Sequence, residues 1–259
     1  MKKLLIATMV VLIAAVAVAQ EVTSVNLVGF TKKVVDTGSR VLVSAPFDII
    51  DGTKTLESVL GTDQLAPHSN YLFADRVIMY DIAAGQYQSY AIYDGDLQYY
   101  PCNNITEWNT SSPTNPPIPE GIGFWLVSGT TDTNEIALMG EVVSVETQTI
   151  DIVEGYQLIG YPFSSKIAIK DTDFENDGAT AHSNYLFADR IVVWEGDYYQ
   201  AYALYDGDSN WYPCNNIDEW NTAVAETERV LELGEGAWYI SQSVSTWQWS
   251  ETNKYLSNL

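Results

Sequence analysis

The chain of 259 residues carries 12 Lys and Arg against 34 Asp and Glu, a formal net charge of −22. At 46% apolar residues it can bury a core, which excludes disorder throughout, while its few scattered basic residues exclude a nucleic-acid groove or an anionic membrane surface as partner. Two Cys and two His are too few for a disulfide scaffold or a metal-cluster framework.

The first element in chain order is a leader. Lys2 and Lys3 precede the apolar run from Leu4 to Ala19, which closes on Ala17-Val18-Ala19. A charged start, an apolar middle and small residues at the end mark a secretory signal peptide and predict cleavage after Ala19. The alternative is an uncleaved anchor, but the run is short for a span of about 20 residues. No later segment reaches spanning length. The expected address is therefore exported (periplasm, cell surface or extracellular space), with no transmembrane span after processing. Losing Lys2 and Lys3 leaves 10 basic residues against 34 acidic. Such a charge keeps chains apart in solution and attracts divalent cations.

The rest of the chain repeats itself. His68-Ser69-Asn70-Tyr71-Leu72-Phe73-Ala74-Asp75-Arg76 recurs unchanged at 182–190, an offset of 114. Residues 93–110, YDGDLQYYPCNNITEWNT, recur at 205–222 as YDGDSNWYPCNNIDEWNT, identical at 14 of 18 positions. Ala45-Pro46-Phe47 answers Tyr161-Pro162-Phe163, and Glu120-Gly121 is read as answering Glu235-Gly236. The expected organisation is a signal peptide at 1–19 and two units of normal small-domain size, 20–140 and 141–259. The Pro-rich stretch 111–119 differs between copies and reads as a variable surface loop.

Within each unit the pattern is β. Residues 40–44 and 156–160 are short apolar strands ahead of a Pro-Phe stop. Residues 76–80 and 87–93 read as a hairpin, with the second copy turning more tightly at Glu195-Gly196-Asp197. In 199–205, Tyr199, Ala201, Ala203 and Tyr205 share one face, and Gln200, Tyr202 and Leu204 the other. Residues 136–153 read as one long strand or two. Residues 55–60 read as a turn or two of helix, and the YPCNN stretch as a loop, because Pro donates no ladder bond and Asn favours turns. The fold class expected is mainly β: two tandem homologous β-sandwich or barrel-like units after a cleaved signal peptide.

The order Val25-Asn26-Leu27-Val28-Gly29-Phe30, an apolar strand ending in Pro-Phe, and Gly234-Glu235-Gly236-Ala237-Trp238-Tyr239 resembles a group of exported bacterial β-rich proteins. Their motifs are a VGY-type opening, an NLI-x-NPF strand and a GEGFW-type strand. Here Leu42-Val43-Ser44-Ala45-Pro46-Phe47 departs from the Asn-rich form. The resemblance implies an exported β-protein and carries over no catalytic residue.

Three groups of residues are candidates for chemistry. Cys102 and Cys214 are repeat equivalents; in an oxidising compartment they bond to each other, which needs Cα atoms within about 7 Å, stay as buried thiols, or pair with another molecule. Their spacing to His68 and His182 lacks zinc-site clustering. Asp94, Asp96, Asp206 and Asp208, with Asp173, Glu175 and Asp177 in a partial EF-hand pattern, are oxygen ligands of the kind Ca²⁺ takes. The competing reading is that Asp-Gly pairs simply form turns. Tyr99, Tyr100, Trp108, Trp211, Tyr212 and Trp220 cluster with acids and amides, as a glycan-binding surface does, or else fill a small β-core.

No G-x-S-x-G, H-E-x-x-H or phosphate-cradling loop is present in the sequence. The function expected is an exported, acidic, non-enzymatic structural or cell-surface protein, in contact with other surface components. The alternative is a secreted carbohydrate-binding module, Ca²⁺-assisted or cofactor-free.

Overall fold

Alternating apolar residues build the first sheet. The computed structural model describes residues 27–50, 52–82, 84–129, 133–226 and 228–255. The leader at 1–19 lies outside them. In the first half the elements are β1 (Val28–Val35), β2 (Arg40–Ser44), β3 (Phe47–Asp48), α1 (Leu56–Leu60), β4 (Arg76–Asp81), β5 (Gln86–Ile92), β6 (Tyr99–Pro101), α2 (Ile105–Thr110), β7 (Gly123–Val127) and β8 (Asn134–Val142). The second half runs β9 (Thr147–Ile152), β10 (Gly155–Gly160), β11 (Ile167–Ala168), a 3₁₀ turn, α3 (Phe174–Asp177), β12 (Arg190–Trp194) and β13 (Tyr199–Leu204). It ends with β14 (Trp211–Pro213), α4 (Ile217–Thr222), β15 (Val230–Leu231), β16 (Gly236–Ser241) and β17 (Trp247–Thr252). The protein is mainly β, with antiparallel sheets, none closed into a barrel.

Two five-stranded sheets dominate, in the orders β2-β7-β4-β5-β6 and β10-β16-β12-β13-β14. The strand order is the same once β2 is matched to β10 and β7 to β16. Smaller sheets, β1-β8-β3 in the first half and β9-β17 and β11-β15 in the second, complete the ladders. Residues 136–153 are thus two strands, and the connection between them lies at 143–146.

Each half owns a core. Val43, Val77, Ile92, Phe124 and Leu126 of the first five-stranded sheet pack with Val35, Ile136 and Leu138 of the small sheet and with Leu56 and Leu60 of α1. The second core gathers Ile159, Ile191, Leu204 and Tyr239 with Phe174, Ile150 and Trp249, and Phe174 stacks on Trp249 at 4.1 Å. Residues 111–119 are more than a surface loop. Ile118 lies in the first core and Pro117 bridges to Thr55.

Strand alternation sends the other face of each large sheet toward its counterpart. Phe124 and Leu126 point into the first core, so Trp125 and Val127 point away from it. Leu42, Trp125 and Leu158 are buried there, beside Ile78, Tyr80, Trp194 and Trp238. Main-chain contacts join the halves at two places. Ser44 N–H donates to Gly234 O at 3.0 Å, and Gly160 N–H to Gly121 O at 2.9 Å. Single bridges pair Val43 with Glu235 and Ile122 with Ile159.

These contacts correct one register. Gly121 and Gly234 occupy like positions, as do Gly123 and Gly236, so the repeat offset here is 113. The match of Glu120-Gly121 to Glu235-Gly236 is two residues out. Both Gly123 and Gly236 are required by close approach. A Cβ on Gly123 would lie 2.6 Å from Ile159 O, and one on Gly236 2.6 Å from Val43 O. We call this junction the seam.

Candidate functional site

The repeated YPCNN block folds locally for definite reasons. Tyr99–Pro101 forms edge strand β6, where Pro is tolerated because no outer strand needs its missing donor. Asn103 Oδ1 accepts from Ser89 N–H at 2.8 Å, tying the block back to β5. Asn104 then caps α2, accepting from Glu107 N–H at 3.0 Å, while Glu107 Oε2 accepts from Asn103 N–H at 2.6 Å. The second copy repeats this with Asn215, Asn216 and Glu219. The loop expected here is a strand and a capped helix. The overlooked signal was N-x-x-E, a variant of the capping box.

The block is bound to the other repeated motif. Trp108 Nε1 donates to Ser69 O at 3.1 Å, and Trp220 Nε1 to Ser183 O at 3.2 Å. Trp108 is only 7% exposed and is surrounded edge-on by Tyr93 and Tyr100, with Tyr71 tilted against it. Trp220 is half-buried among Tyr185, Tyr205 and Tyr212. Tyr99 and Trp211 are core residues, the first donating to Gly61 O at 2.6 Å. Tyr100 and Tyr212 donate to Asp96 and Asp208 at 2.7 Å. The six aromatic residues therefore divide between two separate packed boxes and the cores, and present no shared stacking face. Asp75 and Asp189, which end the HSNYLFAD motif, pin its loop. Asp75 accepts from Ala66 and Gly129 N–H at 2.9 Å, and Asp189 from Gln242 N–H and Tyr239 Oη.

Cys102 and Cys214 are free thiols, buried in separate clusters, and the structure does not bring them together. Burial pushes each thiol up to about 12, against a smaller opposing pull from Arg76 or Arg190. Both stay protonated and unreactive at neutral pH. His68 and His182 each accept, through Nδ1, a backbone N–H two residues on, at 2.9 Å.

The acidic residues also stay apart. Asp96 and Asp208 brace their own turns, and Asp94 and Asp206 are exposed. Asp173 binds Lys254 and Thr252 N–H, Asp177 binds Ser250 N–H, and Glu175 is exposed on α3. Among the described residues no group of three His, Cys, Asp or Glu side chains converges.

Convergence occurs instead along the seam. A groove of about 620 Å³ is walled by Tyr80, Tyr87, Tyr156, Tyr199 and Trp238, with Val192 and Ile240 at its base. Trp238 is edge-on to Tyr80, Tyr87 and Tyr156 at 5.8, 5.9 and 6.1 Å. Tyr87, Tyr156 and Tyr199 are 44%, 57% and 39% exposed, so ring surface is open to a ligand. Burial raises the Tyr87 phenol, helped by the neighbouring phenols of Tyr199 and Tyr80 and opposed by Arg40. Its hydroxyl is therefore a neutral donor at physiological pH. Tyr80 also walls an adjoining cleft of about 690 Å³, among whose polar groups are Asp81, Gln88, Tyr90, Glu120, Thr149 and Asp151.

The opposite flank of the seam is built from equivalent residues. Trp125 faces Trp194 and Tyr199 there, as Trp238 faces Tyr80 and Tyr87. Sequence reasoning missed both flanks because each combines strands from the two halves. No protein-family model, curated protein or solved structure matches the chain. Among the described residues, no helix is long and apolar enough to cross a membrane.

Proposed function

We propose that the protein is an exported surface protein that holds carbohydrate in the seam without transforming it. The observation that carries this reading is the groove of exposed Tyr rings beside Trp238, joined through Tyr80 to a cleft of carboxylates and amides. Sugars offer C–H faces that stack on aromatic rings, and hydroxyls that need acceptors and amides. The leader pattern supports export. The acidity supports a chain that stays dispersed outside the cell. The halves read as duplicated copies of one sandwich-like unit, supported by the shared strand order and by the packing of a small sheet against each large one.

Affinity electrophoresis in gels containing a soluble neutral polysaccharide tests the reading. The native protein is expected to be retarded, and Tyr156→Ala to migrate freely with an unchanged melting temperature, since Tyr156 is the most exposed ring of the groove. No retardation by any polysaccharide in a panel of neutral and acidic polymers would leave the purely structural surface protein as the better reading.

A further inference from the structure

The two flanks of the seam share a framework but differ in charge. Opposite the aromatic groove lies a second one, of about 410 Å³, lined by Arg40, Arg76, Tyr87, Ser89, Trp125 and Tyr199. Arg40 pairs with Val127 in the β2–β7 ladder, and Tyr156 with Ile240 in the β10–β16 ladder. Arg40 thus takes the place in one flank that Tyr156 takes in the other.

Its guanidinium lies 5.5 Å from the Trp125 ring and 5.3 Å from the Trp194 ring. Cation–π contact holds the group by its faces, and its N–H edge is the part that makes directed hydrogen bonds. Neither the Arg40 nor the Arg76 guanidinium forms an ion pair or hydrogen bond among the described residues, and Arg76 Nε is buried without a partner. Arg190, the repeat counterpart of Arg76, also has Nε buried without a partner but does not line this groove, whereas Lys32, Lys54, Arg229 and Lys254 each hold a carboxylate. In a chain with 34 acidic residues and 12 basic ones, two guanidiniums left unpaired in one groove are poised for an anion from outside.

We propose that this groove, lined by Arg40, Arg76, Trp125 and the shared Tyr87 and Tyr199, is a subsite for the carboxylate or sulfate of an acidic saccharide. The inference rests on the carbohydrate reading of the seam and narrows its substrate class. The ligand carries a neutral sugar face for the Tyr156 flank and an anionic sugar for the Arg40 flank. The net charge of the chain does not forbid this. Distant carboxylates are screened beyond about 8 Å at physiological ionic strength, whereas the two guanidiniums act at contact.

Calorimetric titration with trigalacturonate, a sulfated disaccharide and a neutral trisaccharide tests the proposal, with native, Arg40→Gln, Arg40→Lys and Arg76→Gln proteins. Thermal melts establish that each variant is folded. The native protein is expected to bind one anionic sugar about tenfold more tightly than the neutral one. Arg40→Gln and Arg76→Gln each abolish that preference and leave neutral binding intact, and Arg40→Lys, which keeps the charge without the fork, restores part of it. Whichever anionic probe is preferred identifies the group as carboxylate or sulfate. A native protein that binds the neutral sugar with no anionic preference, or a preference that survives both Gln variants, overturns the proposal and leaves the carbohydrate reading standing. A protein that binds none of the three overturns both. As a readout independent of oligosaccharide length, galacturonate monomer should change tryptophan fluorescence in the native protein and not in Arg40→Gln; an identical response in the two proteins also counts against the subsite.

Discussion

Tyr87 and Tyr199 come from different halves, yet each lines both grooves of the seam. Each lies near the turn of its hairpin opposite an aromatic residue, Tyr87 against Tyr80 and Tyr199 against Trp194. The pair forms a wall common to two sites. Tyr199→Ala is therefore expected to weaken neutral and acidic sugars alike, by about 3- to 10-fold. Tyr156→Ala weakens both through the sugar face it holds and leaves the anionic preference intact. Titrating both variants with both ligand types checks this; an effect of Tyr199→Ala on one ligand alone would show that the wall is not shared.

Trp108 serves stability. Its ring is buried and its indole N–H is satisfied by Ser69. Trp108→Ala should cost about 3–5 kcal/mol in urea unfolding and leave saccharide binding unchanged below the transition. Trp220→Ala, at the half-buried equivalent, should cost less. Loss of binding without loss of stability would return the glycan site to the repeated block.

Gly123 and Gly236 set how closely the halves approach. Ala at either position puts a Cβ against a carbonyl oxygen of the other half, closer than real Cβ atoms come. The strands must separate locally, at a cost of about 1–3 kcal/mol. Calorimetry should then resolve two unfolding transitions in Gly123→Ala where the native protein shows one. A single cooperative transition at the native temperature would mean that the seam tolerates the methyl group.

Acid should stabilise the protein before it harms it. Burial raises the carboxyls of Asp189 and Glu251, although hydrogen bonds from Gln242 and Tyr239 to Asp189, and from Asp173 N–H and Trp249 to Glu251, act in the opposite direction. A carboxyl whose folded pKa exceeds its unfolded value, about 4, binds protons more readily in the native state. Its contribution is complete below the unfolded value and is lost as pH rises through the folded one. Lowering pH from 7 toward about 5 should therefore raise the melting temperature, and relief of self-repulsion adds to the effect. Melts at constant ionic strength check the sign; a steady fall in melting temperature from pH 7 downward would contradict it.

Much of the fold was legible because local rules and tertiary packing agreed. Residues 40–44, 76–81, 86–92 and 199–204 are short runs rich in β-branched and aromatic residues bounded by turns, and each forms a strand. The Asn-capped helix was hidden because it is short and follows a proline, so turn chemistry dominated the reading of YPCNN. The seam was harder to see. The residues that the two halves contribute to the aromatic groove are 69 to 160 positions apart in sequence, and no single segment contains a groove. One trace was present. Gly-Phe-Trp-Leu-Val at 123–127 is apolar on both faces, as a strand covered on both sides must be. Identity between the copies drew attention to Trp108 and Trp220, and away from Trp125 and Trp238, which pack at the seam.

The seam also fixes an order of events in biosynthesis. Ser44 Oγ donates to the carbonyl of Glu235, a partner 191 residues further along the chain. At about 5–20 residues per second of synthesis, that partner follows by ~10–40 s. In that interval the first sheet has finished its own core, yet Leu42, Tyr80 and Trp125 still face water. A chain with this layout is most prone to aggregate while half-made, before the second sheet arrives to cover the first.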